Sequence, residues 1–325
     1  MRGSLLRKLL QAYAEGDRAE FEKAAMQLAS SEKEAGHVRL AEELRNIIAK
    51  ITPEVPIAGR RVVDLAQPRE ELAGLLDGGY SEEKLKDIVL TDEMKNVLMR
   101  VLRENKARTD LESWGVGATR KLLFFGNPGC GKTLAANVLA GELGLPILTV
   151  RLDGLFSRFL GATANHLKVI FEEMNSRPAV YLFDEFDALG KTRDDSHDIG
   201  ELRRVVTSFL QLMDADRSNS LIVAATNNGD SLDKALLRRF DRHVEFPLPT
   251  LAQVAKLIAL RLAIFEISED LAMRCAQVAS GMSFADCARA CDDSIRTMAL
   301  EKRRTLSESD LLESFHNLKI RLVKN

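Results

Sequence analysis

Residues 124–144 read FFGNPGCGKTLAANVLAGELG, and Gly126, Gly131, Lys132 and Thr133 stand in them at the spacing G-x-x-x-x-G-K-T. An apolar run, KLLFF (121–125), leads in, and a segment of good helix formers leads out. Glycines between a strand and a helix admit backbone conformations that a side chain forbids. The loop amides can therefore turn inward and cradle an anion at the start of the helix. At this spacing Lys132 reaches the β- and γ-phosphates of a nucleoside triphosphate, and the Thr133 hydroxyl ligates Mg²⁺. Asn127, Pro128, Gly129, Cys130, Gly131, Lys132, Thr133 and Leu134 form the candidate phosphate-binding stretch. The competing reading is a glycine-rich turn ahead of an ordinary helix.

Composition narrows the classes. The chain has 325 residues, enough for two or three domains with a sizeable core. Its net charge of −2 carries no basic field that would announce nucleic acid. Four cysteines (Cys130, Cys275, Cys287 and Cys291) are too few and too loosely spaced for a disulfide framework or a metal site, and read as buried thiols in a reducing compartment. No apolar run approaches the ~20 residues that span a bilayer. The start, MRGSLLRKLLQAYAEGD, is basic and partly apolar, but charges interrupt it and no small-residue cleavage site follows. The expected location is cytoplasmic.

Four parts follow from the periodicity. Residues 1–52 carry three short stripes at helical spacing (Leu5, Leu9 and Tyr13; Phe21, Ala25 and Leu28; Leu40, Leu44 and Ile47), and predict a small helical bundle for packing or docking. Residues 53–80, with Pro53, Pro56, Pro68 and Gly78-Gly79, have linker composition, with room for a short helix in REELAGLL (69–76). Residues 81–247 alternate strand and helix, the strands being KLLFF (121–125), PILTVRL (146–152), AVYLFDE (179–185), LIVAAT (221–226) and HVEF (243–246). That pattern predicts an α/β fold with a parallel sheet covered on both faces. Residues 248–325 read as four helices, suited to a lid subdomain.

Three constellations carry chemistry. The strand AVYLFDE ends in Asp184-Glu185, and a buried strand does not end in two carboxylates without reward. Lying about 50 residues after the glycine loop, Asp184 is placed to hold Mg²⁺ and Glu185 to polarise the water that attacks the γ-phosphate. LIVAATNN ends in Asn227, which either bonds that water or the γ-phosphate or simply closes a turn. ALLRRFDRHVEF places Arg238, Arg239 and Arg242 together, either as donors to the transferred phosphoryl group or as a solvated basic helix end.

In this order the motifs resemble those of the AAA+ ATPases, in the clade that includes the FtsH proteases, katanin, spastin and p97-type unfoldases. The Walker A motif is GNPGCGKT (126–133), Walker B is YLFDEFDAL (181–189), sensor 1 is AATNN (224–228), and the second region of homology is SLDKALLRRFDR (231–242). The resemblance covers about residues 81–320. It implies a P-loop NTPase sheet of five parallel strands in the order 5-1-4-3-2, a helical lid, ATP and Mg²⁺ between them, and a ring, expected to be a hexamer. It makes Lys132, Glu185 and Asn227 catalytic within one subunit and gives Arg238 or Arg239 to the neighbour as an arginine finger. These two stand adjacent where many relatives space them, so the resemblance does not choose between them. It places Ile88, Val89 and Leu90 at the adenine. It matches Phe159-Leu160-Gly161 to the aromatic–hydrophobic–glycine pore loop that grips polypeptide, where Phe159 could otherwise be a core residue, and it makes 190–201, with His197, a second pore loop. Ala285-Asp286 in SFADCARA match the clade's form of the lid, which has no sensor 2 arginine.

The resemblance implies ATP hydrolysis coupled to remodelling, unfolding or threading of a protein partner, with a separately encoded effector or protease as recipient. The alternative is an ATPase acting on nucleic acid as a loader or initiator. That class brings a basic appendage and a sensor 2 arginine, and this chain offers only EKRR (301–304). A scaffold that binds ATP without turnover is disfavoured by intact Lys132, Asp184, Glu185 and Arg238. The 325 residues contain no His-Glu-x-x-His protease signature.

Overall fold

The structure, a computed structural model, describes residues 72, 74–151, 160–187, 198–229, 232–265 and 267–324. The expected N-terminal bundle (1–52) and most of the expected linker lie outside the described residues. Those described belong to one compact unit, Leu65–Asn325.

A six-stranded sheet forms the centre: β1 (Leu76–Tyr80), β2 (Lys121–Gly126), β3 (Pro146–Val150), β4 (Val180–Phe183), β5 (Leu221–Thr226) and β6 (Arg242–Phe246), in the order β1-β3-β4-β5-β2-β6. The five strands from β2 to β6 pair in parallel and keep the predicted order when numbered among themselves. Every residue of β4 (VYLF) and β5 (LIVAAT) is buried, because helices cover both faces. The faces separate by strand alternation. Leu221, Val223 and Ala225 join Leu98, Leu122, Phe124 and Phe246 in one core; Ile222 and Ala224 join Leu148, Phe183, Phe186 and Phe209 in the other.

The expected sheet had five strands, and the sixth is a correction. β1 lies antiparallel to β3, Leu76 opposite Val150 and Tyr80 opposite Pro146. Its sequence, LDGGY, lies in the segment read as linker, and residues 74–75, within the helix considered there, form a turn. Two adjacent glycines carry no strand signal. The ladder with β3 and the burial of Leu76 supply what propensity does not.

The helices of this layer are α1 (Asp92–Lys106), α2 (Arg108–Ser113), α3 (Lys132–Leu143), α4 (Leu160–Ser176), α5 (Asp198–Ala215) and the short α6 (Lys234–Leu237). After β6 come α7 (Leu251–Arg261), α8 (Glu269–Val278), α9 (Phe284–Leu300) and α10 (Glu308–Lys324), the four helices predicted. Side chains of Thr250, Ser268 and Ser283 cap the first three of these, Thr250 and Ser283 within full capping boxes. Their own core includes Val254, Ile258, Leu271, Cys275, Cys291, Leu311 and Phe315. Burial pushes the Cys275 thiol up to about 11 and those of Cys287 and Cys291 to about 12, so all three stay protonated near neutrality. No helix among the described residues is long and apolar enough to cross a membrane.

Candidate active site

The glycine loop joins the end of β2 to the start of α3, with Gly131 at the helix N-cap. On one side β6 holds it, where the Asn127 amide donates to the Phe246 carbonyl at 3.1 Å. On the other side it meets the lid. The Ala285 amide, in the first turn of α9, donates to the Gly129 carbonyl at 3.0 Å. A side chain at position 129 would put its Cβ 2.7 Å from Ser283 Oγ, at a φ of +71°. Glycine is therefore required here for contact with the lid as well as for the turn. Asp286, next in the chain, bonds back to Ser283 as the other half of the α9 capping box.

Lys132 is 7% exposed and uses all three of its donors. Nζ donates to the carbonyls of Gly126 (2.9 Å) and Asn127 (2.8 Å) and to Asn227 Oδ1 (2.8 Å). Burial pulls its pKa down, while Cys130, Asp184 and Asp187 oppose the shift. Asn227 is thus tied to the phosphate-loop lysine. Thr226, just before it, donates to the buried Asp187 at 3.3 Å and so links the ends of β5 and β4.

Asp184 and Glu185 stand just past β4. Thr133 Oγ1 donates to Asp184 Oδ2 at 2.8 Å, and the Glu185 amide donates to Asp184 Oδ1 at 2.9 Å. Glu185 has φ +51°, an uncommon conformation for a residue with a side chain. The Phe186 amide anchors that turn on the Ala225 carbonyl at 2.8 Å. The Glu185 carboxylate is exposed and has no partner among the described residues. The hydroxyl of Thr133 and the carboxylate of Asp184 form an oxygen-only pair, which fits a hard cation such as Mg²⁺.

These groups line one cavity of about 750 Å³ between sheet and lid. Pro128, Gly129, Gly131, Lys132, Thr133, Leu134, Asp184, Glu185 and Asn227 are on its surface. The three expected adenine walls, Ile88, Val89 and Leu90, are not. Ile88 and Val89 are buried beneath, Ile88 packed in the core with Cys130, and in this segment Glu83 and Asp87 line the cavity instead. Cys130 is 3% exposed, and burial raises its thiol pKa. The lid supplies Leu257, Leu260, Arg261, Phe284, Ala285 and Ala288. Sequence reading did not find Arg261; an arginine in the last turn of a helix looks like an ordinary charge on the helix dipole.

The adjacent arginines differ in their surroundings. Arg239 donates through Nε (3.0 Å) and Nη2 (2.9 Å) to Asp214 and through Nη1 to the Ala235 carbonyl (2.8 Å). Arg238 is exposed and has no partner among the described residues; neither arginine lines the cavity. Phe159 lies outside the described residues, while Leu160 and Gly161 open α4. Of the expected second pore loop, residues 190–197, His197 among them, lie outside, and Asp198–Glu201 begin α5.

A sheet of this order with its nucleotide loop, carboxylate pair and helical lid defines a P-loop ATPase. Residues 122–248 match the profile of the ATPase family associated with various cellular activities (AAA). An uncharacterized AAA family ATPase, y4kL, of Sinorhizobium fredii is 36% identical over 309 residues, covering 95% of this chain and 93% of that protein. The ATP-dependent zinc metalloprotease FtsH of Caulobacter vibrioides is 29% identical, over 81% of this chain and 45% of its own length. The FtsH of Lancefieldella parvula is 32% identical, over 70% and 37%. The chain thus spans under half the length of these FtsH relatives. The chain belongs to the AAA family of ATPases and is an ATP hydrolase.

Proposed function

We propose that this ATPase works as a ring, expected to be a hexamer, that couples ATP hydrolysis to remodelling or threading of a protein partner. The observation that carries the reading is Arg238. It sits one residue from an arginine engaged inside its own subunit, it has no partner itself among the described residues, and it lies off its own cavity. Offered to a neighbouring copy, it would stabilise charge on the phosphoryl group in transfer. Glu185 then acts as the residue that polarises water, with Asn227 orienting the γ-phosphate end and Lys132 neutralising it. Thr133 and Asp184 would hold Mg²⁺, which supplies charge neutralisation at the phosphates.

Two further features support a polypeptide as the thing moved. Phe159-Leu160-Gly161 has the composition of a loop that grips extended chain, and the FtsH relatives are named as ATP-dependent proteases. A separately encoded effector or protease would receive the product. Four buried free thiols agree with a reducing, cytoplasmic setting.

The test is Phe159→Ala, assayed for ATP hydrolysis with and without a permanently unfolded polypeptide, beside a thermal melt. A gripping residue predicts an unchanged melting temperature, retained basal hydrolysis and loss of stimulation. A packing residue predicts a loss of ~3–5 kcal/mol in stability, with stimulation kept in the folded fraction. Stimulation of the parent by single-stranded DNA and not by polypeptide would replace the proposal with the nucleic-acid alternative.

A further inference from the structure

Arg261 closes the last turn of α7 and lines the nucleotide cavity. One of its terminal nitrogens, Nη2, donates to both carboxylate oxygens of Asp292 on α9, at 3.1 and 3.0 Å. The pair joins two lid helices, and 49% of the arginine side chain remains exposed. Nε and Nη1 have no partner among the described residues. A guanidinium is planar and permanently charged, so an arginine fixed at one corner offers a fork of oriented donors.

Its distance from the phosphate loop identifies what it would meet. Ala285, Ala288 and Asp292 lie at i, i+3 and i+7 on α9 and so share one face. The amide of Ala285 is bonded to Gly129 in the loop itself. Asp292 is seven residues further on, about 10 Å along the helix at 1.5 Å per residue. A triphosphate seated in the loop has its sugar and base, and not its phosphates, at that remove on the lid side. The neighbouring wall agrees: Leu257 precedes Arg261 by four residues on α7, and Leu260, 41% exposed, lies beside it on the same cavity. Apolar surface next to a single oriented cation suits a nucleoside better than a phosphate.

We propose that Arg261, held in place by Asp292, is a nucleoside-recognition residue, binding the sugar–base half of ATP from the lid. This rests on the reading of the cavity as the ATP site. The same contact would tie α7 and α9 to the bound nucleotide whether it is ATP or ADP, so the lid would sense occupancy and not the γ-phosphate.

The experiment is calorimetric titration of the full chain with Mg·ATP, Mg·ADP and Mg·tripolyphosphate, for the parent, Arg261→Ala, Arg261→Lys and Asp292→Asn. The expected result is an affinity loss of about tenfold or more for ATP and ADP alike in Arg261→Ala, the size of one charge-assisted contact. Tripolyphosphate, which has no nucleoside, should bind as it does to the parent. Arg261→Lys should keep part of the affinity, and Asp292→Asn should show a smaller loss with the same split between ligands. Should Arg261→Ala not fold, the split in Asp292→Asn decides. Equal losses for ATP and tripolyphosphate would make Arg261 a phosphate contact and overturn the proposal. Unchanged ATP affinity would reduce the pair to a brace between helices and overturn it too. A parent that binds tripolyphosphate but not ATP would instead sink the reading of the cavity itself.

Discussion

Glu185 shows how one residue's backbone reports on its role. A left-handed conformation is costly for a side-chain-bearing residue, and it persists where the surroundings fix it. Here Asp184 binds the amide of Glu185 and β5 binds the amide of Phe186, so the turn is held at both sides while the carboxylate has no partner among the described residues. Glu185→Gln keeps shape and turn but removes the charge that polarises water. Phosphate release should fall by about two orders of magnitude or more while calorimetric affinity for ATP stays near the parent's. Turnover at the parent rate would remove Glu185 from the mechanism. That Lys132, Thr133, Asp184 and Asn227 would share one cavity could be read from sequence, because strand ends and a glycine loop at fixed spacing bring them to the same edge of a parallel sheet. Arg238 and Arg239 could not be ranked, since two adjacent arginines are the same chemistry. Only Asp214, 25 residues earlier in the chain, tells them apart. Arg261 was hidden for a related reason, because its meaning depends on Asp292, 31 residues away.

Among the elements, those that bury a continuous surface were the legible ones. β2 to β5 are largely apolar runs, β6 alternates polar and apolar residues with Val244 and Phe246 buried, and the C-terminal helices repeat at 3.6 residues with caps in the sequence itself. β1 had neither signal, because its pairing with β3 is formed by tertiary contact. The junction of α1 with the start of β2 supplies a test at this scale. Glu104 accepts from the Thr119 amide at 2.9 Å and from Arg100 Nε at 2.7 Å. Burial alone would raise its pKa, but these hydrogen bonds outweigh it and bring the value from 4.5 to about 2. A carboxylate depressed in the folded state stabilises above its unfolded pKa and loses that contribution as pH falls through the folded one. Melting temperature should therefore drop between pH 4.5 and about 2 in the parent. Glu104→Gln should melt lower at neutral pH, with the gap closing across that window. Salt should screen the Arg100 share, since that arginine is exposed, and leave the Thr119 share. A gap independent of pH would mean that the charge of Glu104 contributes nothing.

For the whole molecule, the division of labour between copies can be tested without a structure of the ring. A single chain holds Lys132, Thr133, Asp184 and Glu185 around its own cavity and carries Arg238 outside it. If subunits pack head to tail, each interface uses the phosphate loop of one copy and the arginine of the next. Lys132→Ala then loses its own site but still presents Arg238. Arg238→Ala keeps its own site but fails its neighbour. Each variant alone should be nearly inactive. Mixed in equal amounts and allowed to exchange, about one interface in four of a head-to-tail ring pairs an intact loop with an intact arginine. ATP hydrolysis should rise well above the sum of the separate preparations, and dilution should abolish the gain. Arg239→Ala is the control, because Arg239 is held by Asp214 within its own subunit. If mixing restored nothing while Arg238→Ala alone kept parental turnover at every concentration, the arginine would be a surface charge, and the catalytic cation would have to come from within the chain.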